Sequence, residues 1–184
     1  LNKAGFFPIG AGEIQIKIQP WQHRNKLNLL DRGTLQSTKA FAAVLNLSEE
    51  AQIAQRELAT LNKRLKLDTQ QQFHLNGISQ GNTAYVKVEH QHHVQLFTAL
   101  GEMRKSAEQI ANHLAEQVKQ YMESNAAADE YLADQLLLPL ALGQGGEFTA
   151  QCISEHTLTQ AVMIEKFIDC EIEFIELDKK IGRA

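Results

Sequence analysis

The chain has 184 residues, 43% of them hydrophobic and 22% charged, with a formal net charge of −4. That length fits one large domain or two small ones with a core of useful size, and the composition is that of an ordinary globular protein. The acidic balance excludes a chain-wide basic field, so nucleic-acid contact has to come from a local patch or from residues outside this stretch.

Leu1 to Gly5 has no initiator Met and runs straight into Phe6-Phe7-Pro8, which reads as the interior of a larger protein. Gly10-Ala11-Gly12 precedes a strand pattern and not a helix, so it is a tight turn and not a nucleotide loop. Ile14, Ile16 and Ile18 alternate with Gln15 and Lys17, the period of a half-buried strand, and Pro20 ends it. Residues 33–44 read as a long strand or a bent pair of strands, with Phe41 and Val44 apolar. Ser48 is the expected N-cap of a helix with Glu49 and Glu50 in its first turn, and Ala54, Leu58, Leu61 and Leu65 make its buried stripe. Lys63, Arg64 and Lys66 close it as a solvated, dipole-compatible end.

A short strand follows at 71–75, then an Asn76-Gly77 turn. After Gly81, Ala84, Val86 and Val88 share one side of a strand, with Tyr85, Lys87 and Glu89 on the other. Glu89-His90-Gln91-His92-His93 is a hairpin turn. Its three histidines lack a cysteine or carboxylate at ligand spacing, which favours an exposed polar turn over a zinc site. Residues 94–100 are the return strand. Ser106 and Gln109 form a capping box, and Ile110, Leu114, Val118 and Tyr121 give the following helix its apolar face.

The two cysteines, Cys152 and Cys170, are too few for a disulfide framework and suit a reducing compartment. Both sit in apolar sequence and are expected to be buried thiols. The longest apolar run, near Leu136, is far short of the ~20 residues a membrane span needs. No basic region followed by an apolar stretch marks a leader. A cytoplasmic protein without a membrane partner is expected.

The stretch 130–160 organises the chain. A polar cluster at Tyr131, Asp134 and Gln135 opens it, and an apolar run from Leu136 to Leu142 is broken only by Pro139. Gly143, Gly145 and Gly146 make a turn, residues 148–153 read as a short strand, and His156 begins a helix with Ala161, Ile164 and Ile168 at apolar spacing. A lone histidine on a strand-to-helix junction suits a nucleophile. Spacing alone leaves that reading beside a structural histidine.

This stretch resembles the C-terminal signature of the RNA 3′-terminal phosphate cyclases. The matching segments are Tyr131-Leu132-Ala133-Asp134-Gln135, Gly146-Glu147-Phe148-Thr149 and Ser154-x-His156-x-Leu158-Thr159. Gly5-Phe6-Phe7-Pro8 with Gly10-x-Gly12, Gly81-Asn82-Thr83 and Ser106-Ala107-Glu108 match as well, in the family's order. Ala11 stands where the family often has a third glycine. The resemblance implies an α/β (α+β) fold, with residues 1–32 and 126–184 part of a large domain of βαβ-type repeats and residues 33–125 an inserted small α/β domain. It implies a further N-terminal part, so that this chain alone is expected to self-associate or to be inactive.

The resemblance also implies the chemistry. ATP, with a divalent cation, Mg2+, would adenylate His156. The AMP would pass to an RNA 3′-terminal phosphate, and the neighbouring 2′-hydroxyl would close a 2′,3′-cyclic phosphate. Tyr131, Leu132, Ala133, Asp134 and Gln135 carry over as nucleotide-contacting residues. The alternative implied is a catalytically silent relative acting as an RNA-binding or ribonucleoprotein assembly module; retention of His156 and of Asp134-Gln135 favours the enzyme.

Overall fold

The structure is a computed structural model and describes residues 1–20 and 24–177. Its elements in chain order are β1 (Leu27–Leu29), β2 (Leu35–Leu45), α1 (Ile53–Arg64), β3 (Thr69–His74), β4 (Gly81–His90), β5 (Val94–Leu100), α2 (Ala107–Glu123), α3 (Glu130–Leu142), β6 (Gly146–Phe148) and α4 (Glu155–Phe167). The fold is mixed α/β with parallel and antiparallel pairings. The chain divides into two compact units: residues 1–19 with 34–122, and residues 20–33 with 123–184.

The first unit is built on a four-stranded sheet of order β3-β2-β4-β5. β2 runs parallel to β3, through α1, and antiparallel to β4, which pairs antiparallel with β5. Side chains alternate across the sheet, so Ala40, Ala42, Ala84, Val86 and Val88 share one face and are fully buried. Ala54, Leu58 and Leu61 of α1, Leu114, Val118 and Tyr121 of α2, and Phe97 of β5 complete this core. Each buried Leu or Val contributes ~1.5–3 kcal/mol relative to exposure.

α2 starts as its sequence prescribes. The Ser106 N–H donates to Gln109 Oε1 at 2.8 Å, and the Gln109 N–H donates to Ser106 Oγ at 3.2 Å. α1 starts later than its sequence suggests. Ser48 precedes only a 3-10 turn at Glu49–Ala51 and its side chain accepts no capping hydrogen bond; Gln52, at φ 47°, interrupts the helical path before Ile53. Arg56 grips Glu108 through two 2.7 Å hydrogen bonds, and Arg64 reaches Glu116 at 3.2 Å, so the last basic turn of α1 meets α2. Both pairs are solvent-exposed and add little stability.

The carboxyl of Glu57 is fully buried in α1. Oε1 accepts from Asn82 Nδ2 at 2.5 Å, and Oε2 has no partner among the described residues. Burial pushes its pKa up to about 7, against the opposing effect of the Asn82 hydrogen bond. Gly101 makes room for this pair, because a Cβ there would stand 1.8 Å from Asn82 Oδ1.

Three sequence expectations change in this unit. Ile14, Ile16 and Ile18 are exposed and, among the described residues, belong to no strand. A period-two pattern supplies a face, but a strand also needs a hydrogen-bonded neighbour. His90 is not part of an exposed turn: it is buried, with its ring 5.9 Å from that of Tyr121. Residues 1–19 pack beside 34–122, where the sequence reading had grouped 1–32 with 126–184. Here the Ala4 N–H donates to Asn76 O at 2.7 Å and the Phe6 N–H to Ser79 Oγ at 2.8 Å.

In the second unit, β1 pairs in parallel with β6, and α3 lies against α4. Leu137, Ala161 and Ile164 form the small buried centre, with Phe148 and Ile168 against it. Gly146 has φ 148°, and a Cβ on it would meet Leu27 O at 2.0 Å, so only glycine lets the two strands close here. The strand expected at 148–153 is shorter and earlier, ending at Phe148. Beyond it, Ala150 makes only an isolated bridge to Ala128.

Candidate active site

Thr149 and Arg32 set the entry to α3. Thr149 Oγ1 accepts from the Ala127 N–H at 2.9 Å and donates to Leu30 O at 3.1 Å. Its N–H donates to Leu29 O and its carbonyl accepts from the Ala128 N–H, so one residue ties β1 to 127–128. The Arg32 guanidinium donates to Ser124 O at 2.6 Å and Ala126 O at 3.2 Å. These bonds deliver Asp129 as the N-cap of α3, where Oδ1 accepts from the Leu132 N–H at 2.8 Å.

Tyr131, Leu132, Ala133, Asp134 and Gln135 therefore form the opening of one helix. Tyr131 and Gln135 are exposed, Leu132 and Asp134 are half-buried, and Ala133 is buried. The N–H groups of Leu132 and Ala133 are both taken up by Asp129. Contact from that pair is thereby limited to side chains and carbonyl groups.

α4 begins at a second cap. Ser154 Oγ accepts from the Thr157 N–H at 3.1 Å and lies 3.0 Å from Thr157 Oγ1. Thr157, Ala161 and Ile164 turn inward, and His156, the second helical residue, is exposed. Among the described residues no acceptor bonds the N–H groups of Glu155 or His156. Those two donors and the positive end of the helix dipole suit an anion beside the imidazole.

Gln160 brings the two helices' polar groups together. With its amide assigned so that the nitrogen faces these acceptors, it donates to Asp134 Oδ1 at 2.9 Å and to Asp134 O at 2.5 Å. Gln160 lies one turn beyond His156, so Asp134 is fixed to the helix that carries the histidine. Among the described residues no hydrogen bond joins Asp134 to the His156 ring. Sequence reading gave Gln160 no role, and it placed Thr149 only within the family segment 146–149. The i, i+4 spacing from His156 was the available signal for the first; the segment marked the second without its tie to Leu30 and Ala127.

Cys152 is exposed and not a buried thiol as expected, while Cys170 is half-buried. Partial burial pushes the Cys152 thiol up, with Glu130 and Asp129 adding repulsion, so it is a poor thiolate nucleophile. No cluster of three or more His, Cys, Asp or Glu suited to a metal occurs among the described residues. Nor is any helix among them long and apolar enough to cross a membrane.

A family model described as RNA 3′-terminal phosphate cyclase matches residues 1–174. A curated protein from Koribacter versatilis (strain Ellin345), named RNA 3′-terminal phosphate cyclase, is 38% identical over 179 residues, which are 96% of this chain and 50% of that protein. The chain thus spans about half the length of that relative. With its capped histidine helix and the Asp134-bearing helix beside it, the chain belongs to the RNA 3′-terminal phosphate cyclase family.

Proposed function

We propose that this chain supplies the nucleotidyl-histidine half of an enzyme that converts an RNA 3′-terminal phosphate to a 2′,3′-cyclic phosphate with ATP. The observation that carries the reading is the exposed His156 at the uncapped donors of α4, on the helix that Gln160 binds to Asp134. A ring nitrogen attacks the α-phosphorus of ATP, forming a P–N bond as pyrophosphate leaves. An oxygen of the RNA 3′-phosphate then displaces the histidine from that phosphorus. Attack of the 2′-hydroxyl on the RNA phosphorus expels AMP and closes the ring.

Within this scheme Tyr131 offers its exposed ring and Gln135 its amide to the nucleotide. Leu132 contributes apolar contact, and Ala133 holds α3 in place. Asp134 either orients the imidazole or accepts from a ribose hydroxyl. Glu130 and Glu155 place negative charge at the two helix starts, so a bound triphosphate would need Mg2+ to offset part of the repulsion.

The test uses the full-length protein containing this chain, with ATP radioactive at the α-phosphate and Mg2+. Label should appear at His156 through a bond stable to base and broken by acid. His156→Ala should abolish both label and cyclisation with an unchanged circular dichroism spectrum, because an exposed side chain carries no packing. Asp134→Ala should weaken labelling by about 1–3 kcal/mol. Equal labelling of wild type and His156→Ala would sink the assignment and favour the silent RNA-binding module.

A further inference from the structure

The sheet of the first unit ends at β5, which pairs with β4 on one side and, among the described residues, with no strand on the other. In an antiparallel pair, residues bonded to the partner alternate with residues whose backbone points away. The His93 carbonyl accepts from the His90 N–H at 2.8 Å, and the Gly101 N–H donates to Asn82 O at 2.9 Å, one bond at each end of β5. These two bonds fix the phase. Gln95, Phe97 and Ala99 face β4, while Val94, Leu96, Thr98 and Leu100 turn their N–H and C=O groups outward. No backbone group among the described residues meets those outward donors and acceptors.

The same four residues carry the strand's exposed side chains. Val94, Leu96 and Leu100 are 48%, 51% and 62% exposed, and Thr98 is exposed beside them. Edge strands are commonly guarded by a charge, a proline or a bulge. β5 has no charged residue and no proline, and its register with β4 runs without a shift. The opposite edge differs: β3 exposes Thr69, Gln70, Gln71 and Gln72, a polar row. The phase of β5 also selects what fits it. A second β5, turned about a two-fold axis through Phe97 and perpendicular to the sheet, lies antiparallel to the first. Val94 then faces Leu100 of the copy, and Leu96 faces Thr98. Every facing pair of this set is in the hydrogen-bonding phase on both strands, so about eight backbone hydrogen bonds can form. The uncharged strand sets no like charges against each other, and its facing side chains are apolar or Thr against Leu. On the helix side Phe97 meets its own counterpart. A two-fold interface requires one patch to be its own complement, and β5 meets that condition in backbone and side chains together.

We propose that β5 is a dimer edge, through which two copies of this chain join their sheets into one. The partner is a second copy paired antiparallel about Phe97, and the assignment is independent of the cyclase reading. A strand pair buries less than a standard interface, so the dimer is weak and concentration-dependent.

The test uses the full-length protein containing this chain, in sedimentation velocity from micromolar to millimolar concentration. Wild type should pass from monomer to dimer. A variant with Leu96→Lys and Thr98→Lys sets lysines opposite each other in the dimer and should stay monomeric; Leu96→Glu with Thr98→Glu should do the same. An equimolar mixture of the two variants sets each lysine against a glutamate and should dimerise again. All four substitutions fall on exposed side chains, and circular dichroism checks that the fold is kept. Amide hydrogen exchange of wild type gives a second readout that needs no variant. The N–H groups of Val94, Leu96, Thr98 and Leu100 should exchange about tenfold more slowly, or slower still, where the dimer is populated. A wild type that is monomeric throughout overturns the proposal. So does a dimer that survives in both charge variants, or a folded mixture that stays monomeric. A dimer whose β5 amides exchange as fast as in the monomer likewise overturns it, because the copies would then meet on another surface.

Discussion

The two units differ in how they are held together. The first has a continuous core in which Leu61, Val86, Val88, Leu114 and Tyr121 are sealed between a sheet and two helices. In the second, a buried centre of only Leu137, Ala161 and Ile164 holds a short strand pair and two helices, and much of its order comes from polar ties at Asp129, Thr149, Ser154 and Arg32. The candidate nucleophile stands in the lightly packed unit. A reactive side chain needs exposure and aimed hydrogen-bond donors, and capped helix starts supply both without a deep core.

Core truncation should break this comparison most strongly. Leu114→Ala should destabilise the first unit by about 3–5 kcal/mol in urea unfolding. Leu137→Ala should take about 2 kcal/mol from the second, whose sparse surroundings collapse more readily. Equal losses would mean that the second unit is as tightly packed as the first.

Acidity separates the units next. Glu57 titrates near 7 in the fold against a reference of 4.5, so the folded state binds the extra proton between those values. Its contribution is therefore fully present below about pH 4.5 and lost as pH rises through about 7, a difference of about 3 kcal/mol. Unfolding of the first unit at pH 5 and pH 8 should show this loss, and Glu57→Gln should remove it. Glu89 and Glu108, both held at about 2 by their basic partners, do not titrate in that window.

Smaller effects sharpen the contrast further. Ser154→Ala should cost about 1 kcal/mol and speed amide exchange in the first turn of α4 while leaving α2 unchanged. Ala11 has φ 58°, a left-handed conformation that suits glycine. Ala11→Gly should stabilise the first unit by up to about 1 kcal/mol, read as a small rise in its unfolding midpoint.

Legibility in the sequence followed locality. α2 was readable because Ser106-Gln109 and the Ile110, Leu114, Val118, Tyr121 stripe lie within a few residues of one another. The β4–β5 hairpin was readable from Ala84, Val86 and Val88. The start of α1 was not, because the left-handed Gln52 interrupts a cap pattern that Ser48-Glu49-Glu50 otherwise completes. Ile14, Ile16 and Ile18 misled, since alternation names a face without naming a neighbour. At the candidate site, His156 and residues 131–135 come from the family motif and not from periodicity or spacing. The bond from Gln160 to Asp134 joins residues 26 apart and appears only once the helices pack.

The β1–β6 pairing has a consequence in time. Asn28 and Glu147 face each other across 119 positions of sequence. During synthesis at roughly 5–20 residues per second, β1 waits on the order of ten seconds for its partner to emerge. The local contacts of β2, β4, β5 and α2 can form in that interval, because they close over much shorter stretches. Once they have formed, the chain between the two waiting strands is largely a folded body, and little free loop remains to be ordered. The earlier-made unit thus prepares the later one, and a lesion that slows the first sheet would delay the histidine site although no residue of that site had changed.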